Sequence, residues 1–221
     1  MADIRSSFAG RAGVGAGARA GTATLLGQVM FLVGVALAFA TLGTVIGHDL
    51  SGGAALGCFL GGVGMLFVQG WLGERFRVGA IAIGWLYTAA LLIGLGLGPS
   101  LGYLIENDPT VVTQAAGSTA LIVVGMGALG FSLSKDLAAW MRPLSIIVFI
   151  AVIVSFVLLI AGSGGNPILS IIIGGISAAL ITVYFNYLRK HATEDDAVWL
   201  ATGIFVGIVN IFLSALNIFD N

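Results

Sequence analysis

The side chains able to do chemistry in the apolar part of this chain are amides and hydroxyls, set among glycines. Between Val198 and Phe219 an otherwise apolar stretch carries Gly203, Gly207, Asn210, Ser214 and Asn217 at spacings of 4, 3, 4 and 3. On a helix that spacing gathers them on one face. A preceding stretch carries Ser170, Gly174, Ala178, Thr182 and Asn186 at every fourth residue. Such groups hydrogen-bond across helices, but none ionises near neutral pH. The stripe of the last stretch has two readings, a close-packing seam and the wall of a polar path, and the residues alone leave both open.

Catalytic chemistry has little to work with. No Asp, Glu, Lys, Arg or His falls well inside an apolar stretch, where such residues mark relays, ion paths or catalysis. His48 and His191 fall in polar turns far apart in sequence and are expected to be solvated. Neither has a nucleophile-elbow serine or metal-ligand spacing beside it. Both lysines lie in turns, so a retinal-type Schiff base has no partner, and the lone Cys58 offers no disulfide or thiolate site. The glycines at 94, 96 and 98 follow no strand, so they do not read as a nucleotide loop. The expectation is a protein that is not an enzyme, with no cofactor and no metal.

The elements that hold these residues are membrane helices. Hydrophobic residues make up 58% of the chain and charged residues 9%, against about 25% charged in soluble domains. Glycine, at 34 of 221 residues, runs at about twice its usual frequency, which suits helix backbones in close approach. A net charge of -1 and scattered basic residues exclude a nucleic-acid partner. The partner that composition implies is the lipid bilayer.

In chain order, residues 1–21 form a Gly- and Ala-rich tail with Arg5, Arg11 and Arg19, expected to be disordered. Residues 22–221 then form one membrane domain. The first span, Thr22 to Gly47, exceeds the length of a signal-peptide core and is expected to be retained. The second is Gly52 to Trp71, where Gly53, Gly57 and Gly61 predict a flat seam for a neighbouring helix. The third starts at Val78 and is expected to kink or end at Pro99. Asp108 and Pro109 open the fourth as N-cap and first helical residue, and Asn166 and Pro167 open the sixth in the same way. The fifth runs from Pro143 to Ala161 and the seventh from Val198 to Phe219.

Seven spans bring all nine basic residues to one side. Three lie in the tail, and two lie in each of the turns after spans two, four and six: Arg75 with Arg77, Lys135 with Arg142, Arg189 with Lys190. The other side holds only His48, Asp49, Glu106, Asp108 and Asp220. Basic residues gather in cytoplasmic turns, so the N-terminus is expected inside and the C-terminus outside an inner or plasma membrane. One span more or fewer would scatter them.

The run from Ile93 through Gly94, Gly96, Gly98 and Pro99 to Leu101, followed by Gly117, Thr119 and Ala120 and by Phe131, resembles the signature of the Bax inhibitor-1 family, also called the transmembrane Bax inhibitor motif family. Tyr184-Phe-Asn186 and Asn210-Ile-Phe-Leu213 echo the style of that family's last two spans. The resemblance covers about 78–219 and is to the bacterial type. It implies an all-α seven-helix bundle with the last helix central, a pH-sensitive leak of calcium or other cations, and contacts with other membrane proteins. Its leak members sense protons through an aspartate in each of the last two spans. Here those positions fall on Val183 and Gly207, or in a shifted register on Asn186 and Asn210, and neither register supplies a carboxylate. The expectation is a weak leak insensitive to pH, or a non-conducting regulator that binds other membrane proteins through glycine seams and basic turns.

Overall fold

The computed structural model describes residues 3–69, 78–160 and 166–220. The polar turn expected at Glu74, Arg75 and Arg77 lies outside them. The described residues contain seven helices and no strand: α1 Asp3–Ile46, α2 Gly52–Gln69, α3 Gly79–Asn107, α4 Pro109–Ser132, α5 Ala138–Ile160, α6 Pro167–Lys190 and α7 Ala197–Phe219. A 3-10 turn, Glu194–Asp196, precedes α7. All seven are long and apolar enough to cross a membrane, the crossing part of α1 being Gly21–Ile46.

The bundle is built around α7, which touches α1, α3, α4 and α6. Over its spanning window 56% of residues are buried, and over that of α6 50%, against at most 33% in the others. The apolar side of α7 is therefore not turned to lipid, as a helix with one polar face would allow. Ile204 and Phe205, well off the stripe, are completely buried. Around this core α2 packs along α3, and α5 packs along α6.

Helix α3 does not end at Pro99 but continues to Asn107. Proline has no N–H for the carbonyl four residues back, that of Leu95. The turn that follows α1 covers this carbonyl instead, with Gly47 so close that a Cβ there would overlap it. A Cα–H of glycine can approach a freed carbonyl in this way. The three glycines before Pro99 divide between two neighbours. Gly94 meets the α1 backbone at Ala40 and Gly98 the turn after it at Gly47, whereas Gly96 meets Ala55 and Phe59 of α2. A spacing of two turns successive residues to opposite sides of a helix, so α3 can sit closely between α1 and α2.

The seam predicted on α2 is displaced. Gly53 and Gly57 have nothing within 4 Å of a Cβ position, and Gly61 meets only the tip of Leu92 at 3.9 Å. The buried face holds Ala55, Gly62 and Gln69 instead, and a Cβ at Gly62 would stand 2.7 Å from Ile93 and 2.9 Å from the Ala89 carbonyl. Residues 55, 62 and 69 recur every seven, the spacing at which a helix keeps one seam toward a slightly crossed neighbour. A strict stride of four drifts round the helix.

The caps expected at the proline-led helices differ in detail. Asn166 accepts a hydrogen bond from Leu169 N at 3.2 Å, whereas Asp108 precedes Pro109 without a side-chain cap bond. Helix α5 starts five residues before Pro143, at Ala138. Its first N–H groups have side-chain acceptors: Leu137 N donates to Asn186 Oδ1 at 3.0 Å and Ala138 N to Asp136 Oδ1 at 2.9 Å. Arg142, expected in a turn, accordingly lies near the start of α5.

Candidate functional site

The stripe of α7 lies along α6 and beside a cavity. Reading from the α7 start, a Cβ at Gly203 would stand 2.5 Å from the Tyr184 ring, and one at Gly207 would stand 3.1 Å from Ile181. Ser214 lies 3.1 Å from the Cβ position of Gly174, and Asn217 Oδ1 accepts from Ser170 Oγ at 3.0 Å. The facing seam of α6 is thus Ser170, Gly174, Ser177, Ile181 and Tyr184, spaced 4, 3, 4 and 3 like the stripe it meets. This antiparallel register sets Ser177 opposite Asn210. Ser177 is fully buried, and its hydroxyl has no hydrogen-bond partner.

The every-fourth-residue stripe of α6 divides between two neighbours. Ser170 and Gly174 face α7, whereas Thr182 and Asn186 face α4. Thr182 Oγ1 donates to the Met126 carbonyl at 3.2 Å. Asn186, completely buried, donates from Nδ2 to the carbonyls of Gly130, Leu133 and Lys135 at 3.2, 3.2 and 3.1 Å. With Leu137 N on its other side, this one amide holds the α4–α5 turn. Arg189 and Lys190 donate to the carbonyls of Leu133 and Ser134 in the same turn. Asn186 therefore takes no part in the contact between α6 and the α7 stripe.

His191 completes this clasp. Its Nε2 lies 2.6 Å from Asp136 Oδ2 while the side chain stays 42% exposed, so it is solvated as expected and held as well. Asp136 is pushed below the usual carboxylate range, first by the hydrogen bond from Ala138 N and then by that with His191. Contacts across 49 to 56 residues of chain carry no local signal, which is why the spacing of α6 did not disclose them. His48 Nδ1 lies 3.1 Å from Asp49 Oδ2, a local contact between exposed side chains.

Neither family register gathers a carboxylate pair on one contact. Gly207 faces Ile181 and Ser177, and Val183 sits two residues, about 200°, further round α6 than Ile181. At 186 an aspartate would present three carbonyl oxygens with a fourth oxygen and would need a proton to stay. The signature residues after Pro99 also divide: Thr119 is buried with its hydroxyl donating to Ala115 O at 2.6 Å, while Gly117 and Ala120 lie on the exposed face of α4.

The cavity, about 1190 Å³, lies between α2, α3, α5, α6 and α7. It extends from Gln69, Arg142 and Trp199 at the end that carries the α4–α5 turn to Gly52, Asn166 and Asn217 at the other. Gly203, Gly207, Asn210, Ser214 and Asn217 all line it, so the stripe edges both the α6 seam and this space. The opposite wall is apolar, with Phe59, Val63, Phe149 and Val152. No cluster of three or more His, Cys, Asp or Glu able to hold a metal occurs among the described residues.

Seven apolar helices, the last of them the most buried, make this a polytopic membrane protein of the seven-helix bundle class. The family model described as "Inhibitor of apoptosis-promoting Bax1" matches residues 22–221. The chain belongs to the Bax inhibitor-1 family. It is similar to an uncharacterized protein of Helicobacter pylori strain J99, 28% identical over 60% of this chain and 58% of the relative. It is also similar to an uncharacterized membrane protein of Vibrio cholerae, 26% identical over 61% of each. The matches thus span about three fifths of the relatives' length.

Proposed function

We propose that this chain is a non-enzymatic membrane protein that leaks calcium or other cations weakly, along the polar wall formed by α7. The observation that carries this reading is the cavity, which extends nearly the length of the helices and has Asn210, Ser214 and Asn217 along one side. Amide and hydroxyl oxygens can substitute for part of a cation's hydration shell. With no carboxylate among the described cavity-lining residues, binding is shallow and the leak slow. The basic residues gathered at the Arg142 end support a cytoplasmic position for that end, with the Asn217 end outside an inner or plasma membrane.

A second reading, a non-conducting regulator of other membrane proteins, draws support from Gly53 and Gly57. Both lie on the outer face of α2 with nothing near them, where a foreign helix could approach closely. Calcium entry into liposomes carrying purified protein separates the two. The leak reading expects entry above that of empty liposomes, reduced by Asn210→Leu. No entry, with a stoichiometric membrane protein co-purifying, supports the regulator.

A further inference from the structure

We infer that the cavity binds an anionic glycerophospholipid, one acyl chain entering between α2 and α5 and the phosphate held by Arg142. The two helices have no extended contact with each other, and a ring stack of Phe67 on Phe149, centroids 4.6 Å apart, bridges them. Leu56, Phe67 and Ile146 line the cavity and are still 38%, 45% and 54% exposed, so it reaches the outer surface along this line. That surface lies within spans, where the solvent is hydrocarbon. An apolar wall open to hydrocarbon is filled by hydrocarbon in preference to water.

The headgroup follows from charge. Arg142 is the single charged side chain lining the cavity among the described residues, and no carboxylate there pairs with it. A guanidinium at the membrane-water boundary binds a phosphodiester through paired N–H donors. Basic pockets between spans at the cytoplasmic side suit anionic lipid headgroups. The polar wall of α7 remains on the far side of the cavity from the chain. The site rests on the geometry between α2 and α5 and holds whether or not the bundle conducts.

The test is native mass spectrometry of the full chain in neutral detergent, titrated with phosphatidylglycerol or with phosphatidylcholine of the same chains. One phosphatidylglycerol per chain is expected, bound about tenfold or more tightly than phosphatidylcholine, as one charge-assisted contact supplies. Arg142→Gln should abolish that preference. Val152→Trp, which fills the apolar wall, should lower retention of both lipids, and Val63→Trp gives the same reading from the facing wall if the first variant does not fold. Glycerol phosphate, a headgroup without chains, should not compete. Equal retention of the two lipids, a preference that survives Arg142→Gln, or displacement by glycerol phosphate alone would overturn the proposal, and none of these outcomes depends on flux.

Discussion

Asn186 shows what a polar side chain does when it is buried among backbone groups rather than along a path. Three carbonyls and one N–H of the α4–α5 turn depend on it. Leucine of similar volume would remove this partner from the Gly130 and Lys135 carbonyls and the Leu137 N–H, while Leu133 keeps Arg189, at a cost of about 2 to 4 kcal/mol. Thermal unfolding in detergent should show Asn186→Leu well below Asn217→Leu, whose partner Ser170 is only half-buried. Equal losses would mean that the turn is held by other contacts. Asp136 gives a pH prediction whose sign follows from its depressed pKa. Its contribution is present above the ordinary carboxylate value of about 3.9 and is lost as pH falls through the lower folded value. The stability gap between wild type and Asp136→Asn should therefore narrow as pH falls below about 4. A gap unchanged between about pH 5 and pH 3 would place the effect elsewhere.

Helix contacts follow one rule at the next scale: seams recur at alternating spacings of four and three. The stripe of α7 has that spacing, so its contact face was legible in the sequence. Gly53, Gly57 and Gly61 repeat strictly by four and drift off the contact that Ala55, Gly62 and Gln69 make. The α6 stripe drifts from α7 to α4 for the same reason. Seven spans were legible from apolar length, but the course of α3 through Pro99 was not, because the freed carbonyl is covered by Gly47, about fifty residues away in the turn after α1. Glycine substitutions test the contacts directly. Gly94→Leu and Gly98→Leu should drive a side chain into the backbone of α1 and of the turn after it and lose about 1 to 3 kcal/mol or more. Gly207→Leu should lose less, because Ile181 can shift its side chain. Gly175→Ala, with nothing within 4 Å of its Cβ position, should be neutral in the same melts. Similar losses at all four would show that the close approaches are not where stability resides.

The whole molecule joins a clasped end to a long cavity, and neither was legible in the sequence. The clasp pairs residues about fifty positions apart, and the cavity exists because α2 and α5 do not pack together. The distribution of charge predicts an orientation. Lys135, Arg189 and Lys190 meet at one end through the α4–α5 turn and the end of α6, and Asp220 stands beside Tyr103 at the other. A reporter active only outside the membrane, fused after Asn221, should therefore give signal; a cytoplasmic reporter active there instead would reverse the orientation. The central claim is that any conduction follows a wall whose amides and hydroxyls do not titrate. The most direct test is calcium flux into liposomes at about pH 6 and about pH 8, for wild type and for Ser177→Asp with Asn210→Asp, which sets two carboxylates opposite each other. Wild-type flux should be nearly equal at the two values, and the double variant should change steeply as its pair shares and releases a proton. A steep pH response in the wild type that survives replacement of His48 and His191 would contradict the account.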